Sequence, residues 1–220
     1  MSCCTRRATP ATDPGSSRDD ALGAVLAEAR ELGLLGPGPV EDHRAHAGAF
    51  ASALADRPPG AGVDLGSGGG VPGLVLATAL PGWRWDLVEV GARRAAFLER
   101  AIASLDLTGR VRVRALRAED LGRRPDERAR ADAVTARSFG APPVTAECAA
   151  PLLRPGGVLL VSEPPGGRAE RWDVAALAEL GLGGPELRPG PPALAVLVQT
   201  APCPDRYPRK PGIPAKRPLW

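Results

Sequence analysis

Residues Gly62 to Gly73, GVDLGSGGGVPG, constrain this chain more than any other stretch. A short apolar run closes on an acid, Asp64, and passes at once into a turn with glycine at 66, 68, 69 and 70. Pro72 then suits the first turn of a helix. Glycine tolerates positive φ and puts no side chain between the backbone and a ligand. A helix opening just beyond it offers free backbone N–H groups. Strand, glycine turn and helix in that order make the floor of a nucleotide site in an α/β sheet.

Two registers compete for that floor. Gly68-Gly69-Gly70-Val71-Pro72-Gly73 reads as G-x-G-x-x-G, the dinucleotide fingerprint. Asp64-Leu65-Gly66-Ser67-Gly68-Gly69-Gly70 reads as D-x-G-x-G-x-G, the pattern of enzymes that use S-adenosylmethionine (SAM). Asp64 would repel a pyrophosphate, whereas it could face the ammonium group of SAM. The SAM register is therefore preferred. An NAD(P)-dependent oxidoreductase needs the other one, and no hydride-transfer constellation accompanies it.

The remaining sequence fits this reading. At 220 residues the chain suits one α/β domain with appended segments. It has no apolar run of ~18 residues, which argues against a membrane helix. Its N-terminus lacks the apolar core of a signal peptide, so a cytoplasmic location is expected. The net charge of +3 permits RNA binding without requiring it. Cys3, Cys4, Cys148 and Cys203 form no metal pattern, so no metal is expected. Cys148 reads as a small apolar residue on a helix.

Residues 1–17 read as a disordered tail, 18–60 as N-terminal helices, 61–202 as the main domain and 203–220 as a basic tail. Helices are expected from Asp19 to about Leu35 and from Glu41 to Leu54. Trp85–Val90 reads as a second strand, with Glu89 near its end, where a carboxylate can accept both ribose hydroxyls. A helix over Ala92–Leu105, a strand over Val111–Leu116, and a turn at Arg117–Asp120 follow. The turn brings an acid within reach of an adenine amino group. Arg123–Arg130 reads as a charged, mobile connection. A strand over Asp132–Arg137, a helix over Pro142–Leu153, a strand over Val158–Glu163, a helix over Arg168–Leu180 and a late hairpin near Leu187 and Ala193–Thr200 complete a doubly wound, mostly parallel sheet with an antiparallel edge strand.

Several stretches resemble the bacterial 16S rRNA guanine-N7 methyltransferase family, once called glucose-inhibited division protein B. They are VDLGSGGGVPGL, LVEVGARRAAFL, the RAED turn, VTARSFG and RYPRKPGIPAKRPL, in the family's order from Gly62 to Leu219. The resemblance implies a class I SAM-dependent methyltransferase fold with a seven-stranded sheet. It also implies a pocket formed by Asp64, Gly66, Ser67, Gly68, Gly70 and Val71, with Glu89 on the ribose, Ala118 and Glu119 on the adenine side, and Arg137 positioning cofactor or substrate. The implied substrate is a guanine of 16S rRNA, free or in the small ribosomal subunit, and the enzyme is expected to act as a monomer. Two departures stand out. The family's Asn-Leu-Thr segment before the first strand has no counterpart, and Ser162-Glu163-Pro164-Pro165 replaces a usual Lys-Gly.

Guanine N7 carries a lone pair and no proton, so methyl transfer there needs alignment rather than a general base. His43 and His46 read first as helix-surface residues and only second as weak site candidates. For RNA, the candidates are Arg93 and Arg94 on one helix, with Arg206, Arg209, Lys210, Lys216 and Arg217 in the tail. Cations interleaved with prolines and Tyr207 suit phosphate contact and base stacking, and equally a solvated, extended tail packed back by Ile213 and Leu219.

Overall fold

A computed structural model describes residues 14–220 apart from Pro165 and Gly167, with side chains from Arg18 onward. The tail expected over residues 1–17 therefore lies largely outside the described residues, as do Cys3 and Cys4. Helix α1 spans Pro14–Glu31 and α2 spans Val40–Leu54. The first of these begins ahead of the expected Asp19. Val40, His43, Ala47, Phe50 and Leu54 form the buried stripe of α2, and Glu41 and Asp42 favour its positive N-terminal end.

The rest alternates as expected: β1 Ala61–Leu65, α3 Gly73–Ala79, β2 Arg84–Val88, α4 Ala92–Ser104, β3 Val111–Arg114, α5 Ala118–Gly122, β4 Ala131–Ala136, α6 Pro142–Ala149 and β5 Leu153–Ser162. A 3-10 turn at Ala169–Arg171, α7 Val174–Glu179, β6 Glu186–Arg188, β7 Leu194–Val198 and α8 Ile213–Lys216 follow. The strands form one seven-stranded sheet in the order β3-β2-β1-β4-β5-β7-β6. The first five are parallel, and β7 is antiparallel to both β5 and β6. This is the class I methyltransferase arrangement.

Alternation along each strand sends neighbouring side chains to opposite faces of the sheet. Trp85, Leu87, Ala133 and Leu160 face α1–α4, while Val63, Leu65, Val134 and Leu159 face α5–α7. Both faces are covered, which is why the parallel strands read as nearly continuous apolar runs.

Three expectations change. The helix expected over Arg168–Leu180 breaks in two, because Trp172 is buried and Asp173 caps α7 by accepting from Ala176 N at 3.0 Å. The connection Arg123–Arg130 is tied down. Arg128 donates to the carbonyls of Gly122 at 2.9 Å, Cys203 at 2.9 Å and Tyr207 at 2.6 Å. The basic tail folds back as a strap across α5 and α6 and runs through the short helix α8 to Trp220.

Candidate active site

The sheet order reverses between β1 and β4, and ligands of open α/β sheets bind in the crevice beyond the strand ends at such a point. The turn after β1 carries Gly66 at φ 68°, Gly68 at 53° and Gly70 at 91°. Side chains are strained in that region, so the turn needs glycine. A β-carbon on Gly69 would lie 2.6 Å from Leu35 Cδ2 and 2.8 Å from Leu34 O. The segment after α1 therefore presses directly on the loop.

Glu89 follows β2 and is 4% exposed. Its Oε2 accepts from Gly68 N at 3.1 Å, its Oε1 accepts from Gly91 N at 2.7 Å, and Arg94 Nε lies 3.0 Å from Oε1. The β2 acid is thus joined directly to the β1 glycine turn, with Arg94 beside it. Arg93 donates to Leu32 O at 2.9 Å. These two arginines, expected to face RNA, are partly engaged in holding α4 to the glycine turn and to the segment after α1.

Asp64 requires a correction. It is fully buried, and its two oxygens accept from Thr135 Oγ1 at 2.7 Å and Gly73 N at 3.2 Å. No surface remains for the expected contact with an ammonium group. Asp64 instead ties β1 to β4 and caps the start of α3. Burial pushes its carboxyl up to about 6, against hydrogen bonds from Thr135, Ser67 and Gly73 and the charge of Arg137. Ser67 is likewise buried, its hydroxyl donating to Asp64 O at 3.0 Å.

On the adenine side, Ala118 opens α5 and is 4% exposed. The Glu119 carboxylate is turned away to the strap, where it accepts from Gly212 N at 2.9 Å. An adenine contact through that carboxylate is corrected accordingly.

Arg137 follows β4 and donates from Nη2 to His43 Nδ1 at 2.7 Å. An arginine cannot accept, so His43 carries its proton on Nε2, which lies 3.1 Å from Gly36 O. His43 is 4% exposed, not a surface residue, and it orients Arg137. Burial lowers the Arg137 pKa, and the charge of Asp64 opposes that shift. Ser138 turns left-handed at φ 54°, and Phe139 then comes within 3.0 Å of where a Gly66 β-carbon would be.

Arg137 and Phe139 also line a cavity of about 410 Å³ with His46, Pro142, Glu163 and Arg171. His46 Nε2 is buried with no partner among the described residues. Burial, Arg137 and His43 depress its pKa to about 4, so it is neutral near pH 7. Nothing in the sequence marked Arg171 as a site residue, but here it stands beside Glu163, where the family resemblance led one to expect a cation.

In the strap, Arg209 is largely committed to structure. It grips the fully buried Glu147 with Nε at 2.8 Å and Nη2 at 2.5 Å. Arg206 lies over the Tyr207 ring and 3.5 Å from Glu179. Lys210, Lys216 and Arg217 are exposed with no ion pair among the described residues.

A close-approach glycine turn, a buried acid after β2, the start of α5 and an oriented arginine after β4 thus follow the carboxyl ends of four neighbouring parallel strands. No group of three or more histidine, cysteine or acidic side chains suited to a metal occurs among the described residues. No described helix is long and apolar enough to cross a membrane.

Comparisons with known proteins bear on the family and the fold. The profile of a family described as rRNA small subunit methyltransferase G matches residues 50–164. A relative of that name from Prochlorococcus marinus is 42% identical over 165 residues, covering 71% of this chain and 67% of its own. One from Moorella thermoacetica is 37% identical over 177 residues, covering 74% and 71%. Among solved structures, an O-methyltransferase of tomaymycin synthesis from Streptomyces achromogenes, in complex with SAM, aligns with a TM-score of 0.62 at 20% identity, covering 83% of this chain and 91% of that one. An O-methyltransferase from Bacillus cereus, in complex with SAH, aligns at 0.61 and 18%, covering 82% and 91%.

Proposed function

Because the chain belongs to the rRNA small subunit methyltransferase G family, we propose that it methylates N7 of a guanine in 16S rRNA, using SAM. The observation that carries this reading is the meeting of the glycine turn, Glu89 and Arg137 at the β1/β4 switch point, with a 410 Å³ cavity adjoining Arg137. The enzyme is read as a cytoplasmic monomer.

When bound, SAM supplies an electrophilic methyl group on a sulfonium. The turn from Gly66 to Gly70, with Val71 behind it, gives that cofactor a close backbone surface. Glu89 would accept the ribose hydroxyls, the backbone at Ala118 and Glu119 would face the adenine, and Arg137 would take a carboxylate or steady the base. The acceptor nitrogen has no proton to lose, so no side chain here has to remove one. Arg137, its rotamer fixed by His43, holds reactants in line, and Phe139 and Pro142 exclude water. His46 remains uncharged beside a base that becomes cationic on methylation.

A second reading, methylation of a different RNA guanine, is favoured by Glu163-Pro164 at a place where the family resemblance implies Lys-Gly.

The test incubates purified protein with tritiated SAM and small subunits or 16S rRNA lacking the modification, and maps N7-methylguanine by borohydride–aniline cleavage. Label at one guanine is expected, with Glu89→Ala losing it through a cofactor affinity at least ~10-fold weaker. SAM binding without rRNA label would move the substrate elsewhere. Absence of both would reject the methyltransferase assignment.

A further inference from the structure

The chain leaves β5 at Ser162 and reaches Glu163 at the wall of the cavity beside Arg137. An isolated buried carboxylate is costly, so it must be paired and hydrogen-bonded. The Glu163 side chain is 1% exposed. Its Oε1 accepts from Trp172 Nε1 at 3.0 Å, and its Oε2 takes the Nη1 of Arg171. The backbone of Arg171 is fixed as well. Its carbonyl accepts from Trp220 Nε1 at 2.9 Å, and its N–H donates to Arg168 O at 3.2 Å.

An arginine on a short surface turn ordinarily keeps its rotamer freedom. Here that freedom is given up in advance, yet the side chain remains 38% exposed and lines the cavity. Only Nη1 is engaged by a side chain among the described residues, so Nε and Nη2 retain donors. A planar, pre-oriented fork of donors matches a phosphate, and less entropy is lost when it binds one.

We propose that Arg171 grips a backbone phosphate of the RNA at the mouth of this cavity, with Glu163 and Trp220 as the residues that position it. This rests on the reading of the substrate as RNA. Glu163 then does not repel the substrate. It carries a cation into place from the turn that follows.

The test measures methylation of small subunits by the full chain across a salt series, with the SAM Kd and unfolding midpoint measured beside it. Arg171→Ala is expected to raise KM for the RNA ~10-fold or more and to reduce the slope of log(kcat/KM) against log salt by about 0.7–0.9, one phosphate contact. Arg171→Lys should keep the slope and recover part of the KM. Glu163→Gln, which preserves volume, should raise KM in the same direction with the SAM Kd unchanged. Arg124→Ala, an arginine paired with Asp126 away from the cavity, is the control for general charge. An Arg171→Ala protein with wild-type KM and slope would overturn the proposal. So would a loss confined to SAM affinity and stability, which would make the pair a latch only. If wild-type protein labels no rRNA, the functional reading fails and the phosphate contact falls with it.

Discussion

Asp64 and His46 pull the pH dependence of stability in opposite directions. Asp64 titrates at about 6 in the fold against 3.8 ordinarily. The folded state therefore holds a proton that the unfolded chain has released, and stability falls as pH rises through that window. His46 titrates at about 4 against 6.5. There the unfolded chain holds the extra proton, and stability rises with pH. The wild-type curve is thus flatter than either group alone would make it. Asp64→Asn should expose the His46 slope, and its stability relative to wild type should climb by up to roughly 3 kcal/mol between about pH 4 and pH 7. His46→Gln should do the reverse. Urea midpoints in half-unit pH steps check this, and parallel curves for wild type and Asp64→Asn would reject the buried-charge account. The sequence exposed Asp64 as an acid at a strand end, but not that Thr135, its register partner on β4, would claim it. His43 was legible as more than a weak candidate: it lies on the same helical stripe as Val40, Ala47 and Phe50.

Elements were more legible than their ends. The β1 turn, α4 and the parallel strands follow from apolar periodicity and glycine placement, which are local. The division of the last long helix was not readable, because it depends on Trp172 reaching Glu163, a contact between separate segments. The glycine turn is also less self-contained than its sequence suggests. It is pressed by Leu34 and Leu35 from the segment between α1 and α2. Gly69→Ala, at a φ that is not left-handed, should cost about 1–3 kcal/mol by overpacking alone and should weaken SAM binding as the N-terminal segment shifts. Denaturant unfolding and cofactor titration measure the two effects. A variant with unchanged stability would mean that this segment yields freely.

Across the whole molecule, the strap from Cys203 to Trp220 joins parts that the sheet leaves separate. It meets α5 through Gly212, α6 through Arg209, and the cavity rim through Trp220. Its cations divide into two kinds. Arg209→Ala strands the buried Glu147 and should cost about 3–5 kcal/mol. Replacing Lys210, Lys216 and Arg217 together by alanine should leave the unfolding midpoint near wild type and weaken RNA binding, most visibly at low salt. Thermal unfolding with RNA binding across a salt series separates them, and a destabilised triple variant would reject the division. Composition shows the seven candidate RNA-binding cations, Arg93, Arg94, Arg206, Arg209, Lys210, Lys216 and Arg217, as equals. Only pairing across the fold distinguishes them. The strap also follows every strand in the order of synthesis. Until it emerges, a nascent chain can assemble its sheet while Glu119 and Glu147 still lack their partners. The strap is thus made after the sheet it braces, and Glu119 and Glu147 gain their partners only once every strand has been synthesised.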